Sequence, residues 1–220
     1  MKKYNIILFD LDGTISDSSG GITSCVQYAL EFYGIKENNM DILRTFIGPP
    51  LAYSFKKNYG LSDEQIKEAT VKYRERYEPE GVYDNELYPG IEELLIKLKK
   101  AGKTVCVATS KPEDTAETVL KYFDIYDYFD YVVGADRKGQ RQSKEQVIEE
   151  LFKRAGINEE NKSEVVMVGD TRYDIIGAGK MGVDSIGVGY GFGDVDEMRS
   201  LGATYIVDTV SELDSFLGNV

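Results

Sequence analysis

An apolar run, Asn5-Ile6-Ile7-Leu8-Phe9, ends in two acids one residue apart, Asp10 and Asp12, followed by Gly13 and Thr14. A carboxylate at the end of a buried strand is costly unless a cation or hydrogen bonds offset it. Two further apolar runs end in groups of the same kind. Thr104-Val105-Cys106-Val107-Ala108 leads into Thr109-Ser110-Lys111, and Val165-Val166-Met167-Val168 leads into Gly169-Asp170-Thr171-Arg172-Tyr173-Asp174. Ligands of open α/β sheets gather at the carboxyl ends of the strands. Brought together there, these side chains make a hard, all-oxygen site suited to Mg²⁺. Taken singly, each has a plainer explanation: Asp170 as a turn former or helix cap, and Thr109-Ser110 as a cap ahead of the next helix.

The rest of the composition narrows the chemistry. The chain has no histidine, which removes His-based triads, His metal ligands and His general bases. Cys25 and Cys106 lie far apart with no metal-type spacing, and two free, reduced thiols are expected. With 220 residues, 42% hydrophobic and 29% charged, the chain suits one large domain or two small ones. A net charge of −12 repels a phosphate backbone, so no nucleic-acid partner is expected. Lys2 and Lys3 precede only a short apolar run, too brief for a signal-peptide core, and no segment approaches the length of a membrane span. A cytoplasmic protein with no membrane partner, monomeric or weakly homodimeric, is the expectation.

The elements that must position these residues follow from periodicity. The runs at 5–9, 104–108 and 165–168, with those at 130–133, 185–188 and 205–207, are continuous rather than alternating, as in strands covered on both faces. Between them lie helical stripes. Ile91, Leu94, Leu95 and Leu98 are stopped by Gly102, and Val147, Ile148, Leu151 and Phe152 by Gly156. This alternation predicts an α/β fold with a Rossmann-like parallel sheet. Residues 17–85 break it. Ile22, Val26, Ala29, Leu30 and Tyr33 form a helical stripe ended by Gly34, and Ser62-Asp63-Glu64-Gln65 is a capping box. The expected organisation is a core of residues 1–16 and 86–220 with an all-helical insertion at 17–85. Gly187, Gly189, Gly191 and Gly193 do not give Gly-x-Gly-x-x-Gly and follow a late strand, so they read as a loop rather than a dinucleotide site.

The motif Asp-x-Asp-Gly-Thr at Asp10 to Thr14, Thr109 closing an apolar strand, and Gly-Asp-x-x-x-Asp at Gly169, Asp170 and Asp174 resemble the haloacid dehalogenase superfamily in its phosphatase branch. Thr109-Ser110-Lys111-Pro112 is similar to the phosphoglycolate-phosphatase-like subgroup, and the helical insertion stands where that family carries its cap. The family's lysine, at a helix start upstream of the last motif, matches Lys144, because Ser143 and Gln146 form a capping box that puts Lys144 in the first turn. Glu145 follows it where the family usually has proline; Lys138 is the alternative.

The resemblance implies roles. Asp10 is the nucleophile that forms an aspartyl-phosphate, and Asp12 protonates the leaving oxygen and then deprotonates water. Asp10, Asp170 and the Asp12 backbone carbonyl hold Mg²⁺, supported by Asp174. Thr109, the Ser110 amide and Lys144 bind the phosphoryl oxygens. Asp12 separates this chain from dehalogenases, which lack an acid there, and from ATPases, which usually carry Thr. The absence of histidine argues against a mutase, and the lysines of the insertion (Lys36, Lys56, Lys57, Lys67 and Lys72) read more simply as exposed than as a phosphonatase Schiff base. In the cap, Arg44-Thr45-Phe46-Ile47-Gly48-Pro49-Pro50-Leu51 resembles a substrate loop. There Arg44 reads first as a solvated helix residue and second as a partner for a substrate carboxylate, while Phe46, Tyr53 and Phe55 read first as core and second as a base-stacking face. Arg141 and Arg172 read equally as phosphate contacts or as surface charge. The implied activity is Mg²⁺-dependent hydrolysis of a small phosphate ester, phosphoglycolate first and a nucleotide second. Pyrophosphate hydrolysis and a non-catalytic phosphate-binding role rank lower.

Overall fold

Ile7, Leu8 and Phe9 are wholly buried in β1 (Ile6–Phe9), a central strand of the computed structural model, which describes residues 3–218. Lys2 lies outside those residues. After β1 the chain passes through the two-residue strand β2 (Ser16–Asp17) into four helices: α1 (Ser19–Glu31), α2 (Met40–Arg44), α3 (Leu51–Tyr59) and α4 (Asp63–Tyr77). It returns through β3 (Glu86–Leu87), which pairs with β2. Helix and strand then alternate: α5 (Ile91–Lys100), β4 (Thr104–Pro112), α6 (Glu113–Tyr122), β5 (Tyr131–Ala135), α7 (Lys144–Ala155) and β6 (Val165–Gly169). The chain ends with α8 (Arg172–Met181), β7 (Asp184–Val188), α9 (Val195–Ser200), β8 (Tyr205–Val207) and α10 (Val210–Gly218).

Six strands form one sheet in the order β5-β4-β1-β6-β7-β8, and every pairing is parallel. This is the doubly wound α/β order, whose direction of winding reverses between β1 and β6. The parallel α/β sheet expected from the alternation is therefore present. β2 and β3, two residues each, are too short to leave a periodic signal.

The chain divides into two compact units: residues up to Ser16 and from Leu87 onward, and Asp17–Glu86. In the first, Leu8, Cys106, Val133, Val165 and Met167 of the sheet pack with Val147, Ile148, Leu151 and Phe152 of α7. In the second, α1 packs on α4, and Phe46 and Phe55 meet edge to face with ring centres 5.0 Å apart. Both rings are buried, as core aromatics should be, while Tyr53 is exposed. Cys25 and Cys106 are free and buried. No helix among the described residues is long and apolar enough to cross a membrane.

Two features of the sheet prepare the site. The ladder between β4 and β5 runs from Cys106 to Ala108, then breaks register before Pro112, so Thr109, Ser110 and Lys111 bulge out of it. At the start of α7 the capping box of Ser143 and Gln146 fixes the first turn, and Gly156 closes the helix in the left-handed conformation.

Leu151 is fully buried, whereas the Lys153 side chain on the same helix is 64% exposed in a surface pair with Glu149. Leu151→Ala is expected to cost about 2–5 kcal/mol of unfolding free energy in urea, and Lys153→Ala less than about 0.5 kcal/mol.

Candidate active site

Because β1 and β6 are neighbours, the residues that follow them emerge side by side. Asp10 still donates its amide to Val168 O at 2.9 Å, and its Oδ1 accepts the Leu11 amide at 2.8 Å. The chain then turns tightly. The amides of Thr14, Ile15 and Ser16 all point at Leu11 O, and Gly13 donates to Ser16 O. Gly13 sits at φ +86°, and a Cβ there would collide with the Asp170 carboxylate. Glycine is thus required twice at this position, for the turn and for the approach.

After β6, Asp170 is completely buried. Its Oδ2 accepts the Phe192 amide at 2.8 Å, and its Oδ1 accepts the Thr14 hydroxyl at 3.3 Å. The loop that carries Phe192 presses on Asp170 from both flanking positions, since a Cβ on Gly191 or Gly193 would strike it. Asp174, on the first turn of α8, divides its two oxygens. Oδ2 accepts the amide and hydroxyl of Thr171 in a capping box, at 3.0 and 2.8 Å, while Oδ1 lies 2.8 Å from Lys144 Nζ.

Lys144 ties these elements together. Its Nζ is 2.9 Å from Asp10 Oδ1, 2.8 Å from Asp174 Oδ1, and donates to Ala108 O at 2.8 Å. Its path is cleared by Gly177 of α8, where a Cβ would press on the lysine stem. Lys138 is exposed in the loop before α7 and lies outside this network.

The electrostatics are lopsided. Carboxylate oxygens of Asp10, Asp170 and Asp174 all lie within 4.8 Å of one another, all three residues are buried, and Lys144 is the cation that faces two of them. Among the described residues no cation pairs with Asp170. Burial pushes the Asp10 carboxyl up to about 6; Lys144 opposes the rise, and Asp174 and Asp12 add to it. Burial, followed by the charges of Asp174 and Asp10, raises Asp170 well above the usual carboxylate range. Burial alone would lower the Lys144 ammonium, but Asp10 and Asp174 outweigh it and hold it raised. An excess of buried carboxylate with oxygen donors only fits a hard dication.

Asp12 stands apart from that cluster. Both of its carboxylate oxygens take Lys111 Nζ at 2.8 Å, in a pair whose side chains are 5% and 11% exposed. Thr109 is buried, and its Oγ accepts the Lys111 amide at 3.2 Å; Ser110, next to it, is half-buried. Lys111 was legible as a strand-end residue, but no motif spacing marks its partner.

Other candidates lie elsewhere. Arg44 is exposed at the end of α2 in the helical unit. Arg141 pairs with Glu113 at 2.7 Å and donates to Gly134 O, and Arg172 pairs with Glu197 at 2.7 Å on the surface. Arg141 and Arg172 have protein partners that account for their charge. Tyr190 donates its hydroxyl to Thr14 O at 3.0 Å and meets Tyr88 edge to face, bracing the turn after β1.

Residues 7–188 match the family model described as haloacid dehalogenase-like hydrolase. The chain belongs to that family and is a hydrolase of its fold. It is 40% identical over 215 residues to a protein of Pseudomonas aeruginosa named 5'-nucleotidase, across 98% of this chain and 96% of that one. It is 36% identical to a protein of Mycobacterium tuberculosis named tyrosine-protein kinase PtkA, across 97% and 72%. It is 30% identical to a phosphoglycolate phosphatase of Vibrio vulnificus, across 96% and 95%. Among solved structures, that of a predicted phosphatase from Clostridium acetobutylicum superposes with a TM-score of 0.94 at 40% identity, covering 99% of this chain and all of the other.

The raised Asp10 carboxyl sets a pH dependence in chelator. A group raised on folding from 3.8 to about 6 contributes stability that is fully present below 3.8 and is lost as pH rises through about 6. Denaturation midpoints in chelator are expected to fall across that window, and Asp10→Asn should remove its share of the fall. At neutral pH, Mg²⁺ should raise the wild-type melting temperature, with Asp170→Asn abolishing most of that rise.

Proposed function

We propose that the chain is a Mg²⁺-dependent phosphoric monoester hydrolase that works through an aspartyl-phosphate on Asp10. The observation that supports this reading is the buried group of Asp10, Asp170 and Asp174, with Lys144 on Asp10 and Asp174 and Asp12 held separately on Lys111. Asp10 and Asp170, with the Asp12 backbone carbonyl, would hold the metal, and Asp174 would support them. When bound, the ion offsets the negative charge of a carboxylate meeting a phosphate dianion.

The chain's own residues account for the remaining steps. A carboxylate oxygen of Asp10 attacks phosphorus as the bond to the leaving oxygen breaks, and Asp12 supplies the proton that oxygen needs. Water then attacks the phosphorus of the aspartyl-phosphate. Asp12 takes the proton, Asp10 is regenerated, and inorganic phosphate leaves. The Thr109 hydroxyl and the Ser110 amide bind phosphoryl oxygens. Lys144 holds the Asp10 carboxylate ionised and adds positive charge where negative charge develops. The helical unit acts as a cap that selects the substrate, with Arg44 offered to an anionic group on it.

Within the class of small phosphate esters, our reading puts nucleotides first. The relative named 5'-nucleotidase, at 40%, stands above the phosphoglycolate phosphatase, at 30%, which supports a nucleoside monophosphate ahead of phosphoglycolate. A cytoplasmic location agrees with two buried, free cysteines.

The test is phosphate release from nucleoside monophosphates, phosphoglycolate, sugar phosphates, phosphotyrosine, pyrophosphate and an aryl phosphate, with Mg²⁺ or with chelator. Metal-dependent release is expected, and Asp10→Asn should lower it by about 10³-fold or more. Release that survives chelator, or full turnover by Asp10→Asn, would refute the mechanism. Absence of release from every ester would refute the class.

A further inference from the structure

We propose that Lys111 is the positioning residue for proton transfer by Asp12, holding that carboxylate in the one orientation from which it reaches the leaving oxygen. This rests on the reading of Asp12 as the proton-transfer residue. Three observations carry it. Lys111 Nζ sits at 2.8 Å from both oxygens of Asp12, a charge-assisted contact that holds the carboxylate toward β4. The pair is almost fully buried, so little water competes for the carboxylate. And Asp12 lies in a turn of the chain, without the helix or long strand that would restrict it, so its orientation depends on what its side chain touches.

The backbone that delivers Lys111 is itself rigid. The register break of β4 lifts residues 109–111 out of the ladder, and Pro112 fixes the chain immediately afterwards. The Lys111 amide is held by Thr109 Oγ, and its carbonyl packs so closely on Gly134 that a Cβ there would lie 2.5 Å away. Lys111 does not enter the Asp10–Asp170–Asp174 group, which has Lys144. The two lysines divide the work: Lys144 faces the nucleophile and Lys111 faces the acid. A surface lysine serving only solubility would need neither the bulge nor the burial.

The role predicts a particular kinetic pattern. Proton donation matters for a poor leaving group such as an alkoxide and little for 4-nitrophenolate, which leaves without a proton. Turnover of an alkyl phosphate and of 4-nitrophenyl phosphate is therefore compared in wild type, Lys111→Met, Lys111→Arg, Asp12→Asn and the double variant D12N/K111M. The expected result is that Lys111→Met loses kcat at least about tenfold more on the alkyl ester than on the aryl ester, with KM little changed. Lys111→Arg should recover part of the alkyl activity, and Lys111→Met should add nothing on top of Asp12→Asn. Equal losses on both esters, a loss in KM alone, or full additivity in the double variant would overturn the proposal. Should Lys111→Met fail to fold, Lys111→Arg decides alone: a loss confined to the alkyl ester supports the role and an equal loss on both esters overturns it. Asp12→Asn separates the two readings. If it too slows both esters equally, the assignment of Asp12 as proton carrier fails; if it is selective and Lys111→Met is not, only the role of Lys111 fails.

Discussion

Three carboxylates buried together, with one lysine reaching two of them, are the constraint on which the rest of this structure depends. Asp10, Asp170 and Asp174 bring their oxygens within 4.8 Å of one another out of reach of solvent, and Lys144 offsets part of that charge. Desolvation and mutual repulsion both oppose such an arrangement. The fold meets that cost with geometry. The reversal of winding between β1 and β6 brings two strand ends together, so two acids meet without a long loop to order. Gly13, Gly169, Gly191 and Gly193 remove the side chains that would keep the turns from Asp170 and Asp174. The capping boxes of α7 and α8 spend helix-start chemistry on placing Lys144 and Asp174.

The same strand ends carry two separate carboxylate–lysine groups. On the proposed mechanism, the group tied to Lys144 serves a nucleophile and a dication, and Asp12 with Lys111 serves a proton. Their distinctness follows from the tight turn after β1: residues 10 and 12 leave the strand one residue apart, yet meet different lysines from different elements, one from α7 and one from the bulge of β4. Two lysines from independent elements hold the two carboxylates, so each can be oriented without disturbing the other.

Much of this was legible beforehand, for reasons that differ by residue. The sheet strands are continuous apolar runs bounded by polar strand ends, the pattern that parallel sheets impose, and Leu8, Val107 and Val166 are buried as that pattern requires. Lys144 could be placed because the family resemblance calls for a lysine at a helix start, and Ser143 with Gln146 marks one. The Lys111–Asp12 pair was not legible, because it depends on a register break that leaves no periodic trace. Nor was the grip of the Gly191–Gly193 loop on Asp170, since those glycines announce a loop and not its destination. The two-residue strands β2 and β3 fall below any periodicity. Arg44 was chosen by resemblance, and its neighbours in α2 carry no signal of what it meets.

The most direct test of the central claim is chemical trapping of the phosphoenzyme. The protein is mixed with Mg²⁺ and a phosphate ester, quenched during turnover, reduced with borohydride, and digested for mass spectrometry. Borohydride reduces an acyl phosphate to the alcohol, so an aspartyl-phosphate on Asp10 becomes homoserine at that position. The account predicts homoserine at Asp10 alone, dependent on both ester and metal, and absent from Asp12, Asp170 and Asp174. Turnover with no reduced residue at Asp10, or reduction at another acid of the cluster, would contradict it.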